Sequence, residues 1–381
     1  METYVSRRRW LGWAGAAALG GLAGCAPPRH AQTDPARLRL IGEARLPYRM
    51  HFRGTVVGGL SGLDHDPSSG LWFALSDDRS DHAPARLYTL RMNVTANGLG
   101  PPELLDVITL RQPNGLPYPS QRQGGEVADP EAIRFVPRTR TLLWTSEGDG
   151  KLGLDPFLRE VDLSGQHLRE FSLPTHLSMR ANDEAGVRNN LALEGLALTP
   201  DGRGAWVAME AALKQDGPIP TPSAPGGPCR ITLMDMASGR AVRQCSYIPD
   251  AIPASPIPPG AWADNGISEI LMVDAHRMLV LERAYMMGVG MSLRLYQVDT
   301  HDGSNTLDLP ALRADNHRPL RKTLVADLAQ LGLSRLDNTE GMAWGPRLPN
   351  GHRTLVVVSD DNFNPLQITQ FAAFEYQDSP T

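Results

Sequence analysis

Lysine is nearly missing from this chain of 381 residues: of 37 Lys+Arg, only Lys151, Lys214 and Lys322 are lysines. Set against 42 Asp+Glu, for a formal net charge of −5, and without a basic tract, the chain lacks the electrostatic footprint of a nucleic-acid binder. Cysteine is scarce too. The three present have no His or further Cys at ligand spacing, which argues against zinc. No Gly-x-Ser-x-Gly elbow, phosphate-binding Gly-Lys loop or dinucleotide fingerprint after a strand occurs, so the chemistries built on those motifs have no support. With 41% hydrophobic and 21% charged residues, the composition is that of a globular protein rather than a disordered or polytopic membrane chain. Turn formers are plentiful: Gly 37 and Pro 32 favour β-structure over helical bundles.

The amino terminus carries an address. Ser6-Arg7-Arg8-Arg9-Trp10-Leu11 leads into a short apolar run of small residues ending at Gly24 and Cys25. A basic start followed by an apolar segment too short to span a bilayer is an export signal, and the arginine pair matches the twin-arginine type. Leu22-Ala23-Gly24-Cys25 reads as a lipobox, so residues 1–25 are expected to end at a lipidated Cys25. Residues 26–37 are polar and proline-bearing, a tether, and residues 38–377 form the folded domain. The expected location is the periplasmic side of a bacterial cell envelope, lipid-anchored or secreted, as a monomer that meets the membrane only through that anchor. In that oxidising setting Cys229 and Cys245, placed symmetrically about a turn at Ala237-Ser238-Gly239, are expected to face each other across a hairpin as a structural disulfide. Such a bridge would be worth about 3 kcal/mol.

The chain repeats itself five times. Each unit has a small or acidic pair, an apolar strand, a turn, and a second apolar strand ending in an acid. The units begin at Ser61, Glu131, Glu194, Ser268 and Glu340, and their second strands end at Asp77, Glu147, Glu210, Glu282 and Asp360. Each unit offers two more strand-like runs: 85–91 and 103–110, 157–163 and 167–173, 230–236 and 241–248, and 292–299 and 305–309. The fifth unit supplies only 367–376, while a spare strand, 38–46, precedes the first. Four antiparallel strands per repeat describe a propeller blade, long here because of insertions. The expected fold is therefore all-β: a five-bladed β-propeller of four-stranded blades, its last blade closed by the N-terminal strand. A sixth blade around residues 322–331 and a two-sheet sandwich are the alternatives.

In a propeller the start of the first strand and the end of the second emerge together on one face beside the axis. That places Asp77, Glu131, Glu147, Glu194, Glu210, Glu282, Glu340 and Asp360 at one mouth, where mutual repulsion would raise their pKa values unless a cation intervened. Oxygen donors from several directions, without His or Cys, suit Ca²⁺. Glu269 is left out, because it falls where the other repeats carry Gly or Ala. The long insertions at 111–129, 174–193, 211–228 and 248–266 open on the same face, with Arg79, Arg86, Lys151, Arg188 and Arg283. Arginines beside bound cations make a pocket for a small phosphorylated anion.

Particular stretches resemble a known family. They are Gly59-Leu60-Ser61-Gly62-Leu63-Asp64, Leu75-Ser76-Asp77-Asp78-Arg79, Asp129-Pro130-Glu131, Glu194-Gly195-Leu196 through Gly202, Leu279-Val280-Leu281-Glu282-Arg283, Asp337-Asn338-Thr339-Glu340-Gly341 and Ser359-Asp360-Asp361-Asn362-Phe363-Asn364. The chain resembles the phytase-like family ("esterase-like activity of phytase") over roughly residues 45–376. That resemblance implies hydrolysis of phosphoric or carboxylic esters, and kinship with β-propeller phytases implies calcium. On this reading Glu194, Glu340 and Asp360 carry catalysis, while Arg79, Arg86, Arg283 and Asn362 bind substrate. The competing reading is a non-enzymatic, calcium-stabilised propeller that binds a ligand or an envelope partner.

Overall fold

The computed structural model describes residues 37–180 and 184–378. The export signal, Cys25 and residues 26–36 of the tether lie outside the described residues. Five four-stranded antiparallel sheets make up the body of the described residues, and two short two-stranded ribbons, His51–Phe52 with Thr55–Val56 and Val94–Thr95 with Gly98–Leu99, complete the β-structure. From the axis outwards, blade I is Leu60–Asp66, Leu71–Ser76, Arg86–Arg91 and Glu103–Thr109. Blade II is Pro130–Val136, Thr141–Ser146, Phe157–Val161 and His167–Glu170. Blade III is Leu193–Leu198, Gly204–Met209, Cys229–Asp235 and Ala241–Tyr247. Blade IV is Ala263–Met272, Arg277–Met286, Gly290–Asp299 and Lys322–Asp327. Blade V is Asn338–Trp344, Arg353–Asp360, Gln370–Gln377 and, outermost, Arg37–Arg45. The five innermost strands contact one another in cyclic order, so the sheets form a closed five-bladed β-propeller. Pairing of Leu38 with Tyr376 through Arg45 with Gln370 locks the ring with the N-terminal strand. Among the described residues no helix is long and apolar enough to cross a membrane.

Period-two alternation explains how each blade serves two neighbours. In Leu71–Ser76, Trp72 and Ala74 face blade V while Phe73 and Leu75 face blade II. The same alternation yields five apolar cores, one at each blade-to-blade junction. Burying a large aliphatic or aromatic side chain there is worth about 1.5–3 kcal/mol, so ring closure completes a core that an open arc would leave wet.

Three expectations change. Residues 322–331 do not build a sixth blade: Lys322–Asp327 is the outer strand of blade IV. The run 305–309 is not that strand, because residues 304–320 fold over blade III instead. There the Thr306 and Leu320 amides donate to the Gln244 and Ser246 carbonyls, each at 2.8 Å, which covers an exposed sheet edge. Cys229 and Cys245 form no disulfide. A bulge after Leu233 shifts the hairpin, so that Cys229 faces Tyr247 and Cys245 faces Ile231. Both thiols lie free in the core between blades III and IV, with Cys229 Sγ donating to the Glu210 carbonyl and Cys245 Sγ to that of Thr300.

Candidate active site at the channel mouth

Every innermost strand carries a β-bulge near its start. The register slips between Leu60 and Gly62, Pro130 and Ile133, Leu193 and Gly195, Ile267 and Glu269, and Thr339 and Gly341. The residue that opens each repeat (Ser61, Glu131, Glu194, Ser268 or Glu340) falls in the slip, and a bulge re-aims its side chain. The two serines turn to the neighbouring blade: Ser61 Oγ donates to the Glu131 carbonyl at 2.8 Å and Ser268 Oγ to that of Thr339 at 3.3 Å. The three glutamates turn into the mouth. The glycine that follows in three repeats has a packing reason. A Cβ on Gly341 would lie 2.8 Å from the Ser61 carbonyl oxygen, and one on Gly195 3.0 Å from the Ile270 amide, so neighbouring inner strands meet at backbone distance.

The bulge also decides which residue of the second strand reaches the mouth. Asp77, Glu147 and Glu210 donate their amides to Gly59, Asp129 and Ala192; at the matching place Arg283 faces Gly266 and Asp360 faces Asn338. In blade IV the acid slot therefore holds Arg283. Glu282 sits one residue earlier, opposite Ile267, and points away from the mouth. It accepts from Tyr247 Oη and Lys322 Nζ at 2.5 Å each and from Asn265 Nδ2 at 3.0 Å. It is a structural anion between blades III and IV, not a mouth ligand.

Asp77, Glu131, Glu194, Glu210 and Glu340 line a cavity of about 780 Å³ together with Arg79, Arg283, Arg335, Asn338 and Asn362. Glu147 and Asp360 are buried beneath them. Burial, then mutual repulsion, pushes the carboxyls up: Asp77 beside Asp360 and Glu340, Glu131 beside Glu194 and Asp129, Glu147 beside Asp129 and Glu210, Glu194 beside Glu210 and Glu147. Burial also raises Asp360, next to Glu340, and raises Glu340 against the pull of Arg283. Carboxylate oxygens of Asp129, Glu131 and Glu147, and of Glu147, Glu194 and Glu210, lie within 4.8 Å of one another, two cation-sized groups that share Glu147. Glu340 Oε2 is buried and accepts no hydrogen bond, an arrangement that costs about 1–3 kcal/mol or more unless something occupies the mouth. Hard oxygen donors without His or Cys fit Ca²⁺.

The predicted arginines divide. Arg283 donates to Asn338 Oδ1 at 2.9 Å and Glu210 Oε1 at 3.2 Å and lies 3.7 Å from Glu340. Arg79 pairs with Asp149 and, at 3.3 Å, with Asp129. Arg86 is not a substrate ligand: it is fully buried, bonded to Asp78 Oδ2 at 2.6 Å, the Val56 carbonyl at 2.8 Å and Tyr88 Oη at 2.7 Å. The acidic pairs explain why. Asp77 lines the mouth and Asp360 lies beneath it, while the next residues, Asp78 and Asp361, turn away and accept amides of their own loops. Lys151 and Arg188 line an adjoining pocket that shares Asn189 and Leu191 with the mouth. Asp129 and Asn338 were missed as site residues, although each stands two residues ahead of a bulge glutamate, in Asp-Pro-Glu and Asn-Thr-Glu.

Farther along the axis lies a residue pair that was not foreseen. Arg134 Nη1 donates to the Leu63 carbonyl at 2.8 Å, and Nη2 donates to those of Ile270 and Met342 at 3.0 and 3.1 Å. Arg134 also pairs with Glu269 at 2.7 Å, and Glu269 Oε1 accepts from the Leu196 amide at 2.8 Å. The pair thus ties all five inner strands together across the axis. Glu269 stands where blades I, III and V have glycine and blade II has Ala132, and its side chain crosses the axis to Arg134.

Fold and site define a five-bladed propeller with a carboxylate-lined mouth. The family model for phytase-like proteins, "esterase-like activity of phytase", matches residues 55–363, and the chain belongs to that family. No curated protein matches it. Solved structures similar to it include hydrazine synthase from Kuenenia stuttgartiensis (13% identity, 84% of this chain and 82% of that one, TM-score 0.38). Others are the periplasmic gluconolactonase of Pseudomonas aeruginosa (11%, 86% and 91%, 0.33) and a xylan β-1,4-xylosidase from Bacillus halodurans C-125 (9%, 87% and 54%, 0.42). At such scores these likenesses say nothing about activity.

Proposed function

We propose that the protein is an exported, metal-assisted hydrolase of phosphoric or carboxylic esters, with Ca²⁺ as the metal and the lipidated Cys25 as its anchor. The observation that carries the reading is the convergence of acids from blades I, II, III and V on one cavity, with Glu340 Oε2 left without a partner. Asp129, Glu131, Glu147, Glu194 and Glu210 would hold the metal. Bound there, Ca²⁺ would polarise the ester and make a nearby water more acidic. Arg283 and Arg79, on opposite sides of the cavity, would hold the substrate's oxygens, with Asn362 beside them. Glu340 Oε2, free to accept, would take the proton of the attacking water, and Asp360 beneath would support it. The Arg134–Glu269 pair would keep water from entering along the axis.

One observation favours the non-enzymatic alternative: both arginines already bond acids of the mouth, so calcium could serve as glue. Hydrolysis of p-nitrophenyl phosphate and p-nitrophenyl acetate, with Ca²⁺ and with chelator, separates the two. Turnover lost on chelation and in Glu194→Gln supports the hydrolase. Thermal stabilisation by Ca²⁺ without turnover supports the binding protein, and calorimetry that detects no Ca²⁺ binding rejects both.

A further inference from the structure

The mouth has an acidic floor but one apolar wall, and the wall belongs to blade IV and the loop before it. Trp262, Tyr285 and Met291 line the cavity on that side, and Leu366 lines it from blade V. Trp262 is 61% exposed and Leu366 76%, so both offer apolar surface at the rim of the polar cleft. The indole is fixed by its edge: Trp262 Nε1 donates to Asp264 Oδ2 at 2.9 Å, while Asp264 Oδ1 accepts the Tyr285 amide at 3.0 Å. The backbone behind it is braced as well. The Ile257 amide donates to the Met287 carbonyl at 2.7 Å, and the Met287 amide to the Trp262 carbonyl at 3.0 Å, so loop and hairpin form one rigid wall. Gly288 permits this docking: its φ is +74, and a Cβ would lie 2.4 Å from the Ile257 carbonyl oxygen.

We infer that this wall is a stacking platform for the alcohol portion of the substrate, and that the site selects esters whose leaving group is a flat apolar ring over small or highly charged ones. The inference rests on the proposed ester-binding reading of the mouth and adds the substrate class. An indole held at its edge with its face open loses little freedom on stacking, and aromatic stacking adds about 0.5–1.5 kcal/mol beyond the area buried. The floor meanwhile would hold the anionic group with calcium and arginine. The two halves suit an amphipathic ester, charged at one end and planar at the other.

The test compares phenyl phosphate with methyl phosphate, titrated calorimetrically into the full chain in Ca²⁺. Phenyl phosphate should bind about three- to tenfold tighter. Trp262→Phe should keep that ratio, whereas Trp262→Ala and Gly288→Ala should bring it near one. A thermal melt of each variant in Ca²⁺ separates loss of the wall from loss of the fold, and if Gly288→Ala fails to fold, the Trp262 pair decides alone. Equal affinities in the native protein, or a ratio that Trp262→Ala leaves unmoved, overturn the platform while the anion site stands. Binding of neither compound overturns the ester-site reading and the platform with it.

Discussion

Blade IV shares one backbone plan with the other four blades but departs from all of them at two matched positions, and from blades II, III and V at a third, where blade I also has a serine. Where blades II, III and V aim a glutamate into the mouth from the bulge, blade IV has Ser268, bonded to its neighbour's backbone. Where blades I, II, III and V end the second strand in an acid, blade IV has Arg283. Where the others have Gly or Ala after the bulge, blade IV has Glu269, which crosses the axis to Arg134. An all-acid ring would spread its repulsion evenly. The exception in blade IV sets a positive charge against one edge of the two carboxylate groups that share Glu147, where Arg283 meets Glu210, beside the ring-bearing wall of the same blade.

The comparison can be broken most severely at the axis. Arg134→Met should leave Glu269 buried without its partner and cost about 3–5 kcal/mol, read as a lower denaturation midpoint; a loss below about 1 kcal/mol would show that the pair is incidental to the ring. Next comes Arg283→Met, which removes the cation bonded to Glu210 from the mouth. In chelator it should lose about 3 kcal/mol, most of it regained in Ca²⁺, and should bind Ca²⁺ more tightly than the native protein. Unchanged Ca²⁺ affinity would mean that Arg283 does not shape the acid ring.

A pH series sharpens the same contrast. Burial holds Glu210 up to about 8 and Asp129 up to about 7. Between the unfolded pKa values and these, both groups hold protons in the folded chain that they lose in the unfolded one, so in chelator their contribution to stability is fully present below the unfolded values and falls as pH rises from about 5 to 8. Ca²⁺ binds the ionised form and should flatten or reverse that fall. Melting temperatures in chelator that rise over this range would contradict the burial of these acids. The smallest effect is expected of Glu282→Gln, about 1–2 kcal/mol from weakened bonds to Tyr247 and Lys322, with Ca²⁺ affinity unchanged.

Much was legible beforehand because it depends on counting. Five repeats, a missing strand at one end and a spare strand at the other specify a closed ring, and a ring brings strand ends together whatever the loops do. Two of the departures share one physical cause, the register. A bulge inserts a residue into one strand without marking the other, so Leu281-Glu282-Arg283 alone could not say which charge faces the mouth, and Cys229 and Cys245 slipped past each other in the same way. The loop 304–320 could pass for an outer strand because its docking on blade III is a contact between distant segments.

The chain's own order of residues therefore set the blade number, the closure and the gathering of acids at one face, since these follow from periodicity and from the sidedness of a strand. Only the folded ring decided that Arg134 meets Glu269, that Arg283 stands among carboxylates and that Trp262 overhangs them. Those meetings depend on hydrogen-bond register and on close backbone approach between blades, which no single segment contains.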